Sequence, residues 1–274
     1  MKADDQGVLT DNRVGRGVAT GLIITAALAW CASYFLMSSM AASDMSGGMG
    51  ASSLPISDIL MMFSSLSMVA VSLFVLIWVL GMAAMMFPAL IPIVSIYHRA
   101  MEVRGPSSRF DRLGNVVAFL SGYLSLYALL GIAAYLAVFI SLQIGAFVPE
   151  LSQYGYTATG AVLIATGVWQ LTPFKDRCLK NCVSPMGFLM THDERGYAGA
   201  LKMGAEHGYY CVGCCYMYMF VMLAVAAMSI LSMAVLAVVV TLEKVIVKGA
   251  AWFTWLVAVG FMAAGLVFLL VPGI

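Results

Sequence analysis

Apolar runs of membrane-crossing length alternate with short polar segments along almost the whole chain. A helix needs about 20 apolar residues to traverse the hydrocarbon of a bilayer, and helices satisfy their own backbone groups there. The runs predict helices over 17–38, 64–97, 114–143, 156–173, 208–225, 230–246 and 252–272. Residues 208–242 contain no charged side chain. As a single helix that stretch would span about 50 Å, so a tight hairpin is expected between Ala226 and Ser229, although no Gly, Pro or Asn marks it. The first run, from Gly17 to Met37, has the length of a span rather than of a leader's apolar core, and is read as a retained anchor.

Lysine and arginine sort the segments between the runs. Residues 98–113 carry Arg99, Arg104, Arg109 and Arg112, and residues 174–207 carry Lys175, Arg177, Lys180, Arg195 and Lys202. Residues 38–57 and 147–156 carry neither type. Basic segments stay on the cytoplasmic side. Seven spans with a cytoplasmic N-terminus put every basic segment inside, including the one holding Lys244 and Lys248. The expectation is therefore an all-α, polytopic transmembrane helix bundle of seven spans, forming one membrane domain over 1–274. It has an outer Met-rich segment at 37–50 and an inner Cys-containing loop at 174–207.

Composition agrees, with 62% hydrophobic and 10% charged residues, far from a soluble domain. The lipid bilayer is the expected surrounding, in a bacterial inner membrane. A net charge of +1 with no long basic run removes nucleic acid from the partners.

Within this apolar setting the sulfur and imidazole groups are clustered. In "EHGYYCVGCCYMYM", taking His207 as zero on a helical wheel, Cys211 falls at roughly 40°, Cys214 at roughly −20° and Cys215 at roughly 80°. One helix face thus presents His207, Cys211, Cys214 and Cys215. In the inner loop, Cys178 and Cys182 stand four apart in "CLKNC". Thiolates and imidazole at such spacing suit Zn²⁺, Cu(I) or an iron–sulfur cluster, while free cysteine also packs well as a small hydrophobe. In "WVLGMAAMMFPALIP", Met82, Met85 and Met86 share a face with Trp78. Thioether sulfur favours Cu(I), and a ladder of weak sites lets an ion enter and leave. An outer Met-rich segment (Met37, Met40, Met45, Met49), a Met face at membrane depth and an inner Cys/His cluster follow the logic of copper-uptake transporters, by analogy only. Gln170, Thr172, Glu243 and Lys244 are the other polar groups near membrane depth, functional candidates by default. Gly122, Gly131, Gly160, Gly167, Gly260 and Gly265 are expected to permit close helix packing.

Enzyme readings lack parts. Three histidines, His98, His192 and His207, cannot supply the ligand sets of membrane diiron or copper oxygenases, and neither CxxCH nor a P-loop occurs. No catalytic residue and no organic cofactor site is assigned. A quinone-coupled thiol oxidoreductase survives as an alternative, since it needs two nearby dithiols.

The stretches "WVLGMAAMMFP", "SGYLSLY", "WQLTPFKDRCLKNCVSPMGFL", "GAEHGYYCVGCCYMYM" and "LEK" resemble a bacterial family of predicted metal-binding integral membrane proteins of unknown function. The resemblance implies metal binding by the cysteine motifs. The chain departs from the pattern at Gly81, where that family has methionine, and at Tyr216, where it has tryptophan. The expected ligand set is Cys178, Cys182, His207, Cys211, Cys214 and Cys215, with Met85 and Met86 along the route. The expected task is transport or delivery of a transition metal ion, copper or zinc and foremost Cu(I), with a metal chaperone or a membrane enzyme complex as partner. The alternative to transport is an accessory subunit holding a structural zinc.

Overall fold

The computed structural model describes residues 13–44, 67–103, 108–147, 155–184, 187–189, 196–226 and 230–270. Every regular element among them is helical, in the order α1 (Arg13–Asp44), α2 (Met68–Val103), α3 (Arg109–Phe147), α4 (Gly155–Gln170), α5 (Pro173–Val183), α6 (Gly196–Ala226), α7 (Ile230–Thr241), a π-helical turn (Leu242–Ile246) and α8 (Ala251–Leu270). The all-α expectation holds. Of the helices, four are long and apolar enough to cross a membrane over Gly17–Leu36, Met68–Met101, Phe110–Ile144 and Ala251–Leu270, counting described residues alone. α6 is described to Ala226 and α7 from Ile230, and the hairpin expected between Ala226 and Ser229 lies outside the described residues.

Local chemistry sets the helix starts. Ser108 Oγ accepts from Asp111 N at 3.1 Å while Asp111 Oδ2 accepts from Ser108 N at 3.2 Å, a reciprocal cap that opens α3. Thr172 caps α5 by accepting from Lys175 N, and Pro173 occupies the first turn, where its missing N–H costs nothing. Within the segment 174–207, α5 and the first turns of α6 are thus helical. They are too polar to register as apolar runs. α1 continues to Asp44, carrying Met37 and Met40 on its backbone, while Met45 and Met49 lie outside the described residues.

Packing runs through two long helices. α2 packs on α1, α3 and α7, and α6 packs on α3, α4, α5 and α7, with α8 against α4. Residues 81–87 of α2 are buried at every position, as expected of a helix enclosed on all sides. Glycine brings backbones together at several crossings. A Cβ on Gly122 would strike the Leu201 carbonyl, and one on Gly204 the Phe119 carbonyl, so α3 and α6 meet backbone to backbone. Gly160, Gly167 and Gly265 do the same between α4 and α8. Gly131 sits against Trp78, whereas Gly260 has open space beside it and no packing role. Gly81 faces Met233 of α7, whose terminal methyl lies 2.8 Å from where a Cβ would stand.

Much of the outside of the bundle is apolar: Leu28, Leu129, Val238, Leu256 and Leu270 are exposed, while Lys175, His207, Glu243 and Lys244 are buried. This reverses the distribution of a water-soluble protein.

Candidate metal centre

Three of the four thiols at the centre come from one helix. Spacing of three and four residues on α6 sets Cys211, Cys214 and Cys215 inward, each 1% exposed. Cys182 arrives from α5, which lies against α6. The sulfurs touch in sequence: Cys182 Sγ lies 3.8 Å from Cys214 Sγ, and Cys214 Sγ lies 3.4 Å from Cys215 Sγ. The neighbouring Cys211 holds the Cys182 thiol above its usual range, and burial adds to this. Cys214 Sγ donates to the Cys211 carbonyl at 3.1 Å.

Cys211 is the most heavily contacted of these sulfurs. Lys244 Nζ donates to Cys211 Sγ at 2.9 Å, Tyr127 Oη donates to it at 3.2 Å, and Tyr123 Oη lies 3.1 Å away. Tyr123 also donates to Tyr127 at 3.2 Å, so the two phenols, one turn apart on α3, are joined to each other as well as to the sulfur.

The π-helical turn supplies the cation. Its wider backbone ring lets the adjacent residues Glu243 and Lys244 both point into the bundle, at 1% and 7% exposure. They do not pair with each other. Glu243 Oε1 accepts from Lys175 Nζ and Oε2 from Tyr218 Oη at 3.3 Å, and Lys175 also donates to Gln170 Oε1. Glu243 and Lys175 are a buried ion pair linking the π turn to α5. The Lys175 ammonium additionally stands 5.5 Å over the Tyr218 ring.

The remaining predicted ligands fall in three places. His207, one turn before Cys211, is buried among Phe119, Tyr123 and Phe188, with ring centroids 6.2, 6.2 and 5.2 Å away. Its Nδ1 has no hydrogen-bond partner among the described residues. Buried ring nitrogens are normally satisfied, so this one is free to take a ligand. Cys178, one turn before Cys182, packs with its sulfur against Gly213 of α6, and burial raises its thiol. Met85 and Met86 are buried on α2, a helix that carries none of the thiols. Sequence reasoning did not single out Tyr123, Tyr127 and Lys175. Tyr123 and Tyr127 are four apart in "SGYLSLY", which is the one signal they offered.

Chemically, the cluster is a packed set of soft donors. Among the described residues no three His, Cys, Asp or Glu side chains already surround a common ion position. Sulfurs each about 2.3 Å from a tetrahedral metal stand about 3.8 Å apart. The Cys182–Cys214 separation of 3.8 Å already matches that value, and the 3.4 Å of Cys214–Cys215 is a few tenths short. Loading requires small side-chain shifts and loss of thiol protons.

The model of a family described as copper chaperone, PpoB2, matches residues 75–268. The chain belongs to the PpoB2 copper-chaperone family. No curated protein and no solved structure matches it. The region in common with the PpoB2 family contains Met85, Met86, the thiol cluster, His207 and Lys244, and leaves out α1 and the Met-rich segment 37–50. The family description points to copper, and zinc gains no support.

Proposed function

We propose that this protein binds Cu(I) at Cys182, Cys211, Cys214 and Cys215, with His207 as a further donor, and hands it to a copper-utilising partner. The observation that carries the reading is the run of sulfur contacts from half-buried Cys182 of α5 through Cys214 to Cys215 of α6, with Cys211 on the same face of α6. Soft thiolate donors largely buried from water favour Cu(I) over harder ions. The bundle sits in a bacterial inner membrane with seven spans and a cytoplasmic N-terminus, which puts the cluster toward the inner side. Met85 and Met86 of α2 form the route toward that cluster, with weak thioether contacts that do not trap the ion. Cys178, packed on Gly213, is left outside the ligand set.

The test is elemental analysis of the chain purified in mild detergent without chelator, beside the triple variant C211A/C214A/C215A. The expected outcome is near-stoichiometric copper in the parent and none in the variant. Full copper retention by a folded triple variant, or zinc in place of copper in the parent, would overturn the assignment.

A further inference from the structure

The partner of Lys244 is unusual for a buried lysine. Its ammonium, 7% exposed, donates to a sulfur rather than to a carboxylate. The adjacent carboxylate, Glu243, is occupied by Lys175 and Tyr218, and among the described residues no carboxylate contacts Lys244. An isolated ammonium in a low-dielectric interior is costly, so a compensating negative charge belongs at Cys211.

Cu(I) chemistry supplies that charge. Where two of the four cysteines, Cys211 among them, bind Cu(I) as thiolates and the other two stay protonated, the complex has a net charge of minus one, which a single ammonium cancels. An acidic neighbour in place of Lys244 would add to the excess negative charge, and an apolar one would leave it unbalanced. The tyrosine hydroxyls contribute dipoles to the same sulfur but no net charge. Placement of the ammonium depends on the π turn, which orients residue 244 toward α6 while residue 243 faces α5.

We infer that Lys244 is the counter-cation of the copper site, setting the charge of a two-thiolate Cu(I) complex centred on Cys211 to zero inside the bundle. The inference rests on the copper-site reading above and adds a specificity-determining residue that donates no electron pair to the metal. Lys244 acts on the bound state, through charge, and not as a ligand.

The experiment is Cu(I) competition against a chromophoric Cu(I) chelator, anaerobically and in detergent, for the parent, Lys244→Met and Lys244→Arg. Melting curves are recorded with and without Cu(I). Removing one partner of a buried charge pair weakens binding by about thirtyfold or more, which is the loss expected for Lys244→Met. Lys244→Arg keeps the charge and should stay within a few-fold of the parent. The copper-induced rise in melting temperature should shrink in the Met variant and persist in the Arg variant, whereas a merely structural lysine would lower both curves of the Met variant alike. Should Lys244→Met fail to give a monodisperse chain, Lys244→Gln takes its place against Lys244→Arg with the same expected split. Binding by the neutral variant within twofold of the parent overturns the inference, as does a folded Arg variant as weak as the neutral one. Absence of Cu(I) binding by the parent itself would remove the copper-site reading beneath, a distinguishable failure.

Discussion

Lys175 and Glu243 are each 1% exposed and come from segments 68 residues apart. Breaking such a pair by removing one member leaves a buried charge alone, at a cost of about 3–5 kcal/mol, whereas replacing both by apolar groups is often neutral. Glu243→Leu alone should therefore lower the melting temperature sharply, and Lys175→Met combined with Glu243→Leu should recover most of the loss. A double variant no more stable than the single one would contradict this account of the pair. At this scale the inward face shared by Cys211, Cys214 and Cys215 was legible in the sequence, because spacing of three and four residues is a local property. The partners of Cys211 were not: Tyr123 and Tyr127 lie 88 and 84 residues away, and only the packing of α3 on α6 brings them to the sulfur.

Helix α3 approaches α6 closely because Gly122 and Gly204 leave room for the opposing carbonyls of Leu201 and Phe119. Gly122→Ala places a methyl against rigid backbone, so the helices must separate, at a cost of about 1–3 kcal/mol or more. The same separation draws Tyr123, the next residue, away from Cys211. The expected result is a lower melting temperature together with weaker Cu(I) binding, and unchanged values for both would show that the crossing tolerates a methyl. The existence and order of the long apolar helices could be read from hydropathy. α5 and the start of α6 could not, since a helix with Lys175, Asp176, Arg177 and Lys180 has no apolar run. Its signals were the Thr172 cap and Pro173 instead. The π turn had no sequence signal, because it is defined by a widened backbone ring around "LEK" and by what its side chains meet.

For the whole molecule, an apolar exterior surrounds buried polar contacts, an arrangement that gains nothing in water and is suited to lipid. Basic residues in alternate inter-helix segments give the proposed orientation a direct test. A reporter active only outside the cytoplasm should work when fused after residue 274, and one active only inside should work at the N-terminus. Activity on the same side at both ends would mean an even number of spans.

Gly81 and Met233 carry a consequence of a different sort. The pattern that this chain resembles has methionine at position 81, and here the space beside Gly81 holds the Met233 thioether, its sulfur 4.0 Å and its methyl 2.8 Å from the missing Cβ. The room a side chain at position 81 would need is thus taken by a side chain from α7. Any larger residue at 81 must push Met233 aside, so the two positions share one volume across the α2–α7 contact.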